Sequence, residues 1–126
     1  MYGMDKEDFL NAFVESTHEM VNIARKKNND YTASDDPFDN FNAVEVLGVC
    51  KAETGILVRM TDKYKRLISL LNGKEQLVLD ESIDDTLLDL ANYAVILRLL
   101  RRNKQMLLQP PPLERKFIEQ QNTSAS

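Results

Sequence analysis

The chain reads as all-α, a bundle of three long helices plus one short helix. Two observations predict this class. Apolar residues recur at helical spacing along most of the 126 residues, and no segment shows the β-branched alternation expected of a strand.

Residues 5 to about 27 form the first predicted helix. Asp5 is placed to cap it, Asp8 suits the positive end of its dipole, and Arg25, Lys26 and Lys27 occupy its last turn. Phe9, Phe13, Met20, Ile23 and Ala24 recur at its period. Residues 28–42 are loop by composition, yet carry Tyr31, Phe38 and Phe41, so the loop is expected to fold back onto the domain. A short helix is predicted over about 43–52, with Ala43, Val44, Val46 and Leu47 as its apolar patch. The next spans about 54–72, capped by Thr54 and ended by Asn72-Gly73, with Ile56, Met60, Tyr64, Leu67 and Leu71 facing the core. The connection GKEQLVLDES follows, with QLVL read as a short extended piece. The fourth helix runs from about 81 to 104, capped by Asp80 or Ser82. Three consecutive prolines, Pro110 to Pro112, then impose an extended tail. This divides the chain into an all-α domain, 1–108, and a Pro-rich tail, 109–126.

Composition narrows the function. A 43% hydrophobic and 29% charged chain is ordinary for a soluble globular domain. A net charge of −4 and a pI near 5.0 argue against direct, sequence-independent nucleic-acid binding, which needs a basic surface. A single cysteine, Cys50, excludes an intrachain disulfide and a multi-Cys zinc site, and fits a reducing compartment. No run approaches the roughly 18 apolar residues of a membrane span, and MYGMDKEDF lacks the apolar run of a signal peptide. A cytoplasmic protein is expected. His18, the sole histidine, gives little support to a His-based triad, and Cys50 is expected to be a small buried residue.

The polar positions of the later helices do not fit a plain bundle. Advancing about 100° per residue, Glu81, Asp84, Asp85, Leu88 and Asn92 share a stripe of the fourth helix, opposite Ile83, Leu87, Leu90, Ala94 and Leu97. The acids at the start of this helix have a ready explanation in its dipole. Asp89 lies too deep for that and should have a charged partner, since an unpaired buried carboxylate costs several kcal/mol. On the third helix Arg59, Asp62 and Arg66 form a stripe at i, i+3 and i+7. Lys63 sits at the margin of the apolar face, where it can reach Asp89. Carboxylates beside Arg and Lys in one groove are what a nucleotide–Mg²⁺ complex requires, oxygen ligands for the metal and cations for the phosphates.

The segments KKNNDY, DPFDNF, GILVRMTDKYKRL and DESIDDTLLDLANYAVIL, in that order, resemble the phage family called nucleotide modification associated domain 1, over about residues 20–100. The resemblance rests on Lys27, Asp30 and Tyr31; Pro37, Phe38, Asn40 and Phe41; Arg59, Asp62, Lys63 and Arg66; and the run from Asp84 to Tyr93. It implies association with phage nucleotide metabolism or modified-base genes. A looser similarity reaches the all-α nucleotide pyrophosphohydrolases, MazG-like and dimeric dUTPase. Glu81-Ser82-Ile83-Asp84 matches their ExxD motif, which implies Mg²⁺ held at Glu81, Asp84 and Asp85. The third helix departs from that group: Asp62 has no second acid three residues away. Glu15 and Glu19, one turn apart on the first helix, are the available substitutes.

The leading expectation is a nucleotide-binding protein with possible Mg²⁺-dependent pyrophosphohydrolase activity. In it Asp62 or Asp89 completes the metal shell or orients water, and Lys27, Arg59, Lys63 or Arg66 clamps phosphate. Asp30, Tyr31, Phe38, Phe41 and Asn92 serve the rest of the ligand. The alternatives are a non-catalytic binder that sequesters a nucleotide or cyclic-nucleotide signal, and an oligomeric interaction module. Homo-oligomerisation is expected under all three, because LLDLANYAVILRLL is apolar on more faces than one small bundle covers.

Overall fold

A computed structural model of the chain describes residues 3–31, 34–73 and 76–109, with the side chains of 30, 31 and 76–81 outside the described set. Four helices account for most of these residues: α1 (Lys6–Tyr31), α2 (Asp39–Val46), α3 (Ala52–Leu71) and α4 (Gln76–Leu107). The fold is all-α, as expected. Residues 110–126, most of the predicted tail, lie outside the described residues, and none of the described helices is long and apolar enough to cross a membrane.

The helix boundaries differ from the sequence expectation in instructive ways. Asp5 does cap α1, its Oδ1 accepting the Asp8 backbone N–H at 2.8 Å. The helix then continues four residues past Lys27, through Asn28 to Tyr31, because its last turns are tied to α4 and tertiary contact overrides their weak propensity. The short helix begins earlier than predicted. Asp36 Oδ1 accepts the Phe38 N–H at 2.9 Å, a local turn that launches α2 at Asp39. It ends before residue 52 because Gly48 adopts φ 76°, a left-handed conformation that stops a helix. QLVL is helical, so α4 starts at Gln76 and neither Asp80 nor Ser82 caps it. The dipole account of its acids therefore fails: Asp84 and Asp85 lie beyond the second turn.

Thr54 does not cap α3 either, which begins at Ala52. The cap comes from α2. Glu45 Oε1 accepts the Ala52 N–H at 2.7 Å and also pairs with Lys104 of α4, whose Nζ donates in turn to Glu53 Oε1 at 2.5 Å. One ammonium thus joins α2, α3 and α4. Lys104 holds both carboxyls below their usual range, helped at Glu45 by the Ala52 N–H, and the two carboxylates raise the lysine in return. Because the folded carboxyl values are depressed, this stabilisation is present above about pH 4.3 and lost as pH falls through them. Lys104→Met is therefore expected to lower the thermal midpoint at pH 7. The difference from wild type should shrink on acidification, as followed by circular dichroism.

The core is small. Ala52, Ile56 and Leu100 are the buried hydrophobic residues among those described, with Phe38, Phe41, Met60, Tyr93, Ile96 and Leu97 packed against them. Phe38 and Phe41 thus fold back onto the domain as their aromatic character implied. Tyr64 and Leu71, expected on the core face, are more than half exposed, and Cys50 is only half-buried. Gly55 permits the approach of α2 to α3, since a Cβ there would lie 3.2 Å from a Val44 methyl. Leu100→Ala should cost about 3 kcal/mol in urea unfolding, whereas exposed Leu107→Ala should stay within about 0.5 kcal/mol.

Candidate functional site

A cavity of about 530 Å³ opens where all four elements meet, between the C-terminal part of α1, the 37–41 segment, the middle of α3 and the middle of α4. Phe38, Phe41, Tyr93, Ile96 and Leu99 supply apolar wall; Asn28, Asn40 and Asn92 supply amides; Lys27, Arg59 and Lys63 supply charge.

Asp89 organises the charged side. Its Oδ1 accepts from Lys27 Nζ of α1 at 2.9 Å, and its Oδ2 pairs with Lys63 Nζ of α3 at 3.0 Å. The Lys63 pairing meets the expectation that Asp89 has a partner on the adjacent helix. The Lys27 pairing is new, and joins residues 62 positions apart. Burial pushes the Asp89 carboxyl up, but the hydrogen bonds and charges of the two lysines outweigh it and hold it below the usual carboxylate range. Its side chain is 19% exposed, so the carboxylate is a fixed internal counterion to two ammonium groups.

Three turns of α4 bring the neighbouring groups into place. Asn92, one turn after Asp89, is buried and donates from Nδ2 to the Met20 carbonyl of α1 at 3.2 Å. Its amide therefore holds α1 against α4 while lining the cavity. Across the opening, the Arg59 guanidinium lies 5.0 Å from the Phe41 ring centroid, a cation–π contact that fixes its plane and leaves its edge donors available.

The remaining predicted residues are elsewhere. Asp62 and Arg66 are exposed on α3 and do not line the cavity. Asp84 and Asp85 are exposed on α4, also away from it. The side chains of Glu81, Asp30 and Tyr31 fall outside the described residues. His18, Glu15 and Glu19 are exposed on α1. Among the described residues no three Asp, Glu, His or Cys side chains lie together as metal ligands. The carboxylate that lines the cavity, Asp89, has both oxygens engaged by lysines. Conversely, Asn28, Asn40, Tyr93 and Ile96 line the cavity without having been singled out as site residues. Their sequence signal was their place in the segments that carry the family resemblance, Asn40 and Tyr93 among its named residues.

Fold and site together define an all-α domain with a cationic, aromatic-walled cavity between its helices. Residues 27–100, more than half of the chain, match the family described as nucleotide modification associated domain 1, and the chain belongs to that family. The matched span contains every cavity-lining residue but Ala24. No curated protein and no solved structure matches the chain.

Proposed function

We propose that the protein binds a nucleotide in this cavity, in a role tied to nucleotide modification. The observation that carries the reading is the convergence of Lys27, Lys63 and Arg59 on one apolar cavity that holds a single carboxylate to balance them. A phosphate neutralises that excess. The base then lies against Phe38, Tyr93 and Ile96, within reach of the Asn28 and Asn40 amides, which recognise its polar edge. Asp89 holds the two ammonium groups at the cavity until the ligand's phosphate competes for them. The family to which the chain belongs supports a role in nucleotide chemistry.

Binding without turnover is the form the donor set favours, since Asp89 is engaged and the other described acids lie off the cavity. Titration calorimetry against ribo- and deoxyribonucleoside mono- and triphosphates, with and without Mg²⁺, tests both forms. Micromolar affinity for a nucleotide and about a hundredfold weaker binding of its nucleoside are expected, with the nucleotide recovered intact. Absence of binding by every nucleotide overturns the reading. Release of pyrophosphate in Mg²⁺ replaces the binder with a pyrophosphohydrolase, in which the acids of α4, Glu81, Asp84 and Asp85, become the metal ligands to mutate.

A further inference from the structure

We propose that two copies of this chain pair by laying α1 of each along the α3/α4 groove of the other. The inference is independent of the nucleotide reading and starts from what one copy leaves uncovered. Phe9, Leu10, Phe13 and Val14 are each more than half exposed, and Phe9 and Phe13 touch each other, with ring centroids 6.0 Å apart. The contacts of α1 with its own chain gather instead near Met20, Ala24 and Lys27. On the far side, Leu57, Met60 and Tyr64 of α3 and Leu87, Leu90 and Ala94 of α4 line an apolar groove of about 570 Å³. Single exposed hydrophobics are ordinary, but a contiguous groove and an unpartnered helical stripe in one chain mark an interface.

Charge identifies the occupant. The groove continues along the same face of α4 into a cationic stretch containing Arg98, Arg101 and Arg102, with Ala94 common to both parts. At its opposite end the same helix presents exposed Asp84 and Asp85. The first turn of α1 carries Glu7 and Asp8, immediately ahead of the Phe9–Val14 stripe. Antiparallel to α4, an incoming α1 with Phe9 to Val14 in the groove points its acidic first turn at the end of the groove that carries Arg98 and Arg101. A twofold axis makes the contact twice and so doubles the surface that one contact buries.

Light scattering of the full chain over a concentration series should give twice the 14.5 kDa chain mass. Phe13→Asp and Leu87→Asp should each raise the dimer dissociation constant at least tenfold with helicity unchanged by circular dichroism. Glu7→Lys/Asp8→Lys and Arg98→Glu/Arg101→Glu should each weaken self-association. Mixed together, those two variants should restore the dimer, because every contact in the heterodimer is again between opposite charges. A wild-type monomer at all concentrations overturns the proposal. So does a dimer indifferent to Phe13→Asp but lost in Leu87→Asp, which would place groove against groove, or a mixture that fails to restore pairing.

Discussion

Replacing Lys27 and Lys63 by Met, together with Asp89→Asn so that no carboxylate is stranded, is expected to lower nucleotide affinity about a hundredfold. A hydrogen bond to a charged group is worth about 1.5–3 kcal/mol. Lys27 is nearly half exposed and Lys63 about a third, so screening takes each to the low end, about tenfold per lysine. Titration calorimetry measures the loss. The parent nucleoside provides the control: its weak binding should not change, because the aromatic wall is untouched. Equal losses for nucleotide and nucleoside would mean that the lysines shape the cavity and do not contact phosphate.

Asp89→Asn alone should act in two opposite directions. The two ammonium groups lose their common counterion, which should cost about 2 kcal/mol of folding stability at pH 7, read by urea denaturation. The folded carboxyl lies below its ordinary value, so the wild-type stabilisation is present above about pH 3.9 and disappears as pH falls through the depressed value. Wild type and variant should therefore converge in acid. Phosphate affinity should rise severalfold meanwhile, because the lysines no longer have an internal anion competing for them. A fall in affinity would instead make Asp89 a direct ligand contact, and loss of pyrophosphate release would make it catalytic.

The all-α class and the partnership of Asp89 with Lys63 were legible in the sequence because both follow from helical periodicity and from the cost of a lone carboxylate in packed surface. Phe38 and Phe41 were legible for a similar reason, as aromatics too costly to leave in a solvated loop. The Lys27–Asp89 pair was not. It joins the last turns of α1 to the middle of α4, and the Asn-rich composition after Lys27 argued that the helix had already stopped. Nor was the Lys104–Glu45–Glu53 cluster, whose members are separated by 59 and 51 positions and have no local signature. The acids at 80–85 misled differently. They read as a helix start, and α4 begins at Gln76, a full turn before Asp80. One-dimensional patterns recovered which faces are apolar; they did not recover which helix a charged side chain crosses to.

The same few groups that line the cavity also fasten α1 to the rest of the molecule: Lys27 through Asp89, and the Met20 carbonyl through Asn92. The helix has no comparable anchor along its first four turns among the described residues. Amide hydrogen exchange along α1 therefore serves as an occupancy gauge for a site most of a helix away. A ligand that draws Lys27 from Asp89 leaves the Asn92 bond to hold the helix by itself, and a ligand that bridges Lys27 and Lys63 clamps it. Faster exchange marks the first case and slower exchange the second, with no need to know the ligand's identity beforehand.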